Sequence, residues 1–145
     1  RLLNQRKYVA ADETPIQVLK EEGRKAQSKS YVWLFRSGDD GQNPMIVYKY
    51  HATRNGDAAA EFFKDSNVGT YINVDGYAGY NKLKSFKRCA CYAHIRRYFV
   101  EAIPKDKEKD FTNPAVQGMM YCNKLFEYER SYKEKNLSYK QKQNR

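Results

Sequence analysis

Three groups of side chains in this sequence could do chemistry. Asp12 closes an alternating run, Asp75 closes the apolar stretch Tyr71 to Val74, and Glu129 lies in a long amphipathic segment. A carboxylate turned toward an apolar interior is costly unless it is paired or holds a metal. The second group is basic: Lys82, Lys84, Lys87, Arg88, Arg96 and Arg97 fall within one stretch that has no acid, with Tyr80, Phe86, Tyr92 and Tyr98 interleaved or adjacent. Cations set among aromatic rings suit a nucleic acid, because each neutralised phosphate releases counterions. The third group is Cys89, Cys91, His94 and Cys122. Structural zinc uses wider cysteine spacing, about two to four residues between ligands, so Cys89 and Cys91 are expected to pack as small thiols on one strand face.

These residues need elements to hold them. Tyr8 to Thr14 alternates and reads as a strand that Pro15 ends, which puts Asp12 at its end. Strands are also expected over Ser30 to Arg36 and Met45 to Tyr50, separated by turn-forming residues, and over Tyr71 to Val74 and Lys87 to Ala93. A short helix fits Gly56 to Ser66, another Tyr77 to Leu83, and an amphipathic one His94 to Ile103, stopped by Pro104. Lys105 to Asp110 is an alternating charge run, the mark of a solvated loop.

The last long helix begins at Asn113 and Pro114, a cap followed by proline in the first turn, and continues to Glu134. At 100° per residue, Ala115, Met119, Cys122 and Phe126 fall within about 60° of one another, and Glu129 continues that stripe. Glu127 projects away from it. An inward Glu129 calls for a cation nearby; an ion pair with Arg130 or Lys133, or snorkelling at the stripe's end, meets the same need. Arg54 reads as an ordinary surface arginine.

The chain has 145 residues, 41% of them hydrophobic, enough for one core. No apolar run could span a bilayer, and no charged start leads into an apolar stretch with a small-residue cleavage site, so a soluble, cytoplasmic protein is expected. Three cysteines do not suggest a secreted disulfide framework. With 27 basic residues against 17 acidic ones, a net charge of +10 favours a polyanionic partner. For the tail Lys133 to Arg145 the same charge serves solubility equally well. A start at Arg1 and a polar end suggest a piece of something longer, with residues beyond Asn136 poorly ordered unless they form a helix.

Four blocks carry a resemblance: Ala11-Asp12-Glu13-Thr14-Pro15, Asp75-Gly76-Tyr77-Ala78-Gly79-Tyr80-Asn81, Cys91-Tyr92-Ala93-His94-Ile95-Arg96-Arg97-Tyr98-Phe99 and Leu125-Phe126-Glu127-Tyr128-Glu129. In this order they resemble the insertion-sequence-66 family of transposases, although Tyr92 stands where the family usually has tryptophan. The resemblance implies an α/β, ribonuclease H-like DDE catalytic domain over 1–135, a mixed five-stranded sheet flanked by helices, with 136–145 a basic tail. It implies that Asp12, Asp75 and Glu129 are the catalytic carboxylates and hold two Mg²⁺ ions, for which Mn²⁺ can substitute. The partner implied is DNA, as transposon ends and target, contacted by Lys82, Lys84, Lys87, Arg88, His94, Arg96 and Arg97. A homo-oligomer at full length, in the bacterial cytoplasm at the nucleoid, completes the expectation. Two other readings share these features: a ribonuclease H-like nuclease without strand transfer, and a DNA-binding remnant without catalysis.

Overall fold

The computed structural model describes residues 2–107 and 109–143. After a 3₁₀ turn at Leu3–Gln5 come strands β1 (Tyr8–Gln17), β2 (Lys29–Ser37) and β3 (Ile46–His51), then helix α1 (Asp57–Phe62) and strand β4 (Tyr71–Val74). A 3₁₀ helix, Ala78–Lys82, leads to β5 (Lys87–Ala90), followed by helices α2 (Tyr92–Ala102), α3 (Pro114–Glu134) and α4 (Tyr139–Gln143). The chain divides into two compact units, a sheet unit of residues 1–90 and a helical unit of residues 91–145.

In the sheet unit the strand order is β3-β2-β1-β4-β5. The first three strands form an antiparallel meander, whereas β4 pairs parallel with β1, and β5 parallel with β4. Parallel neighbours need a crossover, and α1 lies in the connection from β3 to β4. This mixed five-stranded order in an α/β chain is the ribonuclease H-like arrangement, as the sequence led us to expect.

The core follows from alternation along the strands. Val9 and Ala11 of β1, Trp33 and Phe35 of β2, and Ile72 and Val74 of β4 are buried together with Ala58, Ala59 and Phe63. Phe35 stacks on Phe62 at 4.1 Å and meets Phe63 edge-on at 5.2 Å, while Trp33 meets Tyr80 edge-on at 5.9 Å. Each such ring contributes about 1.5–3 kcal/mol by leaving water.

Several expectations about the elements need correction. Pro15 does not end β1: it pairs with Tyr31, and the strand continues to Gln17. Since β4 pairs only with Tyr8 to Ala10, one edge of β1 is open beyond that point, and proline's missing donor is tolerated at such an edge. Asp12 is accordingly mid-strand. β5 stops at Ala90, because Cys91 already caps α2. Cys89 is exposed and Cys91 half-exposed, so the expected buried pair does not form; only Cys122 is buried. Tyr77 to Leu83 narrows to the 3₁₀ helix already given.

In the helical unit, the side chain of Asn113 accepts the amide of Ala115, and Pro114 follows in the first turn. α2 packs along α3 closely enough that a Cβ on Gly118 would lie 2.3 Å from the Phe99 ring. Cys122 is buried and Ala115, Met119 and Phe126 are half-buried, which is the expected stripe; Val116, outside it, is buried as well. The tail contains α4, and residues 144 and 145 lie outside the described residues.

One close approach ties α1 to the segment after β4. Gly56 has φ +78° and caps α1, and a Cβ there would lie 2.4 Å from the carbonyl oxygen of Gly79. Alanine would meet both left-handed strain and a backbone clash. Gly56→Ala should therefore lower stability by about 2–4 kcal/mol in denaturant titration, and a loss under about 1 kcal/mol would show that the contact is looser than described.

Candidate active site

The parallel register of β1 and β4 sets Tyr8 opposite Tyr71, Val9 opposite Ile72 and Ala10 opposite Asn73. Continued by two residues, it sets Asp12 opposite Asp75, just beyond the end of β4. Residues two apart on a strand share a face, so Asp12 keeps the face of Tyr8 and Ala10, while Asp75 directly follows Val74, the last residue of β4. Both are close enough to Tyr80 for their charges to act on its hydroxyl.

Each carboxylate is oriented locally. Asp12 Oδ1 accepts the amide of Glu13 at 2.9 Å, and Asp75 Oδ1 accepts the amide of Tyr77 at 2.9 Å. Asp12 is exposed, while the Asp75 side chain is 15% exposed. Asp75 Oδ2 faces the guanidinium of Arg54 at 3.9 Å.

Arg54 is no ordinary surface arginine. Its Nε and Nη2 each lie 2.7 Å from Glu13 Oε1, and its guanidinium sits 4.2 Å over the Tyr77 ring. Glu13 points to the core side of β1 with only 1% of its side chain exposed, and its other oxygen accepts the Tyr80 hydroxyl at 2.5 Å. A buried carboxylate survives because both oxygens are partnered, one by a cation. Burial works against the charge of Arg54, but the hydrogen bond to Glu13 and the charges of Glu13 and Asp75 outweigh it and raise the Arg54 pKa. Sequence reasoning passed over Glu13, Arg54 and Tyr80. Glu13 alternates inward with Val9 and Ala11, a signal that was available, but its partners stand 41 and 67 residues away.

Glu129 lies on α3 in the helical unit, with its side chain 51% exposed and Oε1 3.8 Å from Lys142 Nζ. The apolar stripe therefore ends before Glu129. Glu127 is equally exposed at 53%, and pairs with Lys124 at 3.3 Å, so burial does not separate the two glutamates. Within neither unit, among the described residues, do three His, Cys, Asp or Glu side chains gather as a ready metal site. Hard carboxylate oxygens on Asp12 and Asp75, each fixed by a backbone amide, nonetheless fit a Mg²⁺ ion, which needs few protein ligands and keeps its waters.

The basic residues divide. Lys84 is exposed, as are Lys87 and Arg88 on the edge strand β5, where Lys87 sits over the Tyr71 ring at 5.2 Å and Arg88 donates to Asn81. Lys82 is tied to Asp57 by an ion pair. On α2, Arg97 is exposed, whereas Arg96 is held by Asn123 of α3 at 2.6 Å. Nδ1 of His94 is buried and has no hydrogen-bond partner among the described residues.

The sequence profile of the Transposase IS66 family matches residues 1–145, the whole chain. The chain belongs to that family. No curated protein and no solved structure matches it significantly. Membership makes it a transposase chain, whose work is on DNA. No described helix of this transposase is long and apolar enough to cross a membrane.

Tyr80 gives the site a measurable pH signature. Burial, then the hydrogen bond to Glu13 and the charges of Glu13, Asp12 and Asp75, push its hydroxyl far above the ordinary 10.0. The folded-state pKa lies above the unfolded one, so this contribution is intact below about pH 10 and is lost as pH rises beyond it. Tyr80→Phe should flatten the fall in stability between about pH 10 and 12 in denaturant titrations; an unchanged alkaline fall would contradict the assignment.

Proposed function

We propose that this chain is the catalytic core of its transposase, cutting DNA at transposon ends and joining it to target DNA with Asp12, Asp75 and Glu129. The observation that supports the proposal is the β1–β4 register, which, extended two residues past its last pair, brings Asp12 level with Asp75 at the end of β4. These two aspartates would hold Mg²⁺, with Glu129 of α3 as the third carboxylate. When bound, two such ions activate the attacking oxygen and stabilise the leaving oxygen of an in-line displacement, and Mn²⁺ can stand in for them.

The rest of the work falls to the chain itself. The amides of Glu13 and Tyr77 orient the two aspartates. Lys84, Lys87, Arg88 and Arg97, exposed and positive, would track the DNA backbone, with Lys82, Arg96 and His94 close by in sequence. Their role is positioning of phosphates, and the transposase at full length would work as a homo-oligomer at the nucleoid.

A nuclease of the same fold would also use these acids, and joining separates the two. In the transposase carrying this chain, Asp75→Asn should reduce the joining of a 3′ end to target DNA by roughly two orders of magnitude or more, while Glu127→Gln leaves joining within about twofold. Joining that survives in Asp75→Asn would overturn the catalytic assignment. Metal-dependent nicking without any joining by the unaltered protein would support the nuclease reading instead.

A further inference from the structure

Beside Asp75 stands an ion pair that the proposed chemistry does not use. Glu13 Oε1 takes both Nε and Nη2 of Arg54 at 2.7 Å, Tyr80 occupies Oε2 at 2.5 Å, and the Glu13 side chain is 1% exposed. Arg54 is fixed from a second direction by the Tyr77 ring. The same Nη2 that contacts Glu13 stops 3.9 Å short of Asp75 Oδ2, outside hydrogen-bonding range.

The guanidinium is thus shared unequally between two carboxylates. If Glu13 lost its charge, Arg54 would have Asp75 as its nearest anion and could close on it through a charge-assisted, two-pronged contact. A guanidinium seated on Asp75 would both neutralise it and occupy the oxygen a metal needs. With Glu13 ionised, the pair beside Asp75 is close to neutral, and Asp75 keeps its charge for a metal ion.

We propose that Glu13 and Arg54 are a positioning pair that sets the divalent-cation affinity of Asp75, with Glu13 restraining Arg54 from capping it. This inference rests on the reading of Asp75 as a metal ligand. It assigns Glu13 no contact with metal or DNA: Glu13 acts through Arg54. The two residues of one pair therefore have opposite effects, which a purely structural role would not produce. Loss of Glu13 charge weakens metal binding and loss of Arg54 charge strengthens it.

The test is calorimetric Mn²⁺ binding to the 145-residue chain, with folding of each variant checked by circular dichroism. Glu13→Gln, which keeps the shape, should lower affinity about tenfold, and Arg54→Gln should raise it several-fold. Glu13→Gln combined with Arg54→Gln should return to within about twofold of Arg54→Gln alone, because the restraint has nothing left to restrain. Glu13→Asp, which keeps the charge, should bind more tightly than Glu13→Gln. If Glu13→Gln does not fold, Arg54→Gln and Glu13→Asp decide. Unaltered affinity in Glu13→Gln or Arg54→Gln, alongside sharp loss in Asp75→Asn, would overturn the pair while leaving Asp75 a ligand. Binding indifferent to Asp75→Asn would remove the metal reading and this inference with it.

Discussion

The parallel pairing of β1 with β4 spans only three residue pairs, Tyr8 with Tyr71 to Ala10 with Asn73, yet the remaining features of the site depend on it. Because side chains alternate across a sheet, a slip of one residue in that register would turn Asp75 to the face opposite Asp12. The register is held on the core side by Val9, Ala11, Ile72 and Val74, all buried, and on the other side by stacking of Tyr8 on Tyr71 at 5.4 Å. Pairing then stops, and the second residues past it are Asp12 and Asp75. An acidic pair at the frayed end of a well-anchored ladder is accessible to ions without loosening the sheet.

On the core side of the same strand, Glu13 faces a different physical problem. A carboxylate withdrawn from water must find partners for both oxygens, and Arg54 and Tyr80 provide them. This couples three separated parts of the sheet unit: β1, the loop before α1, and the 3₁₀ helix after β4. The Gly56–Gly79 approach brings the last two together at the backbone level, since any side chain there would part them. The pair is thus both a clamp and a neighbour of Asp75, which gives its charge balance a consequence beyond stability.

Much of the architecture was legible in the residues. The aromatic and apolar run Tyr31 to Phe35, the brief run Tyr71 to Val74, and the Asn113–Pro114 start of α3 each reflect short-range physics that a sequence carries directly. Pro15 misled because its tolerance depends on which edge of β1 is paired, a fact of topology. Glu129 misled differently: helical periodicity continues the stripe past Phe126, but burial requires something packed against that turn, and the Glu129 side chain is half-exposed. Arg54 was passed over because its partners are distant in sequence. Asp12 and Asp75 were identified from local pattern, but their alignment came only with the strand register.

The central claim is that Asp12 and Asp75 share a divalent cation. Anomalous diffraction from crystals of the protein soaked in Mn²⁺ tests it most directly. The account predicts an anomalous peak within about 2.0–2.3 Å of carboxylate oxygens of both Asp12 and Asp75, with the Arg54 guanidinium still on Glu13. Manganese bound at other carboxylates, with Asp12 and Asp75 free of it at saturating concentration, would contradict the account.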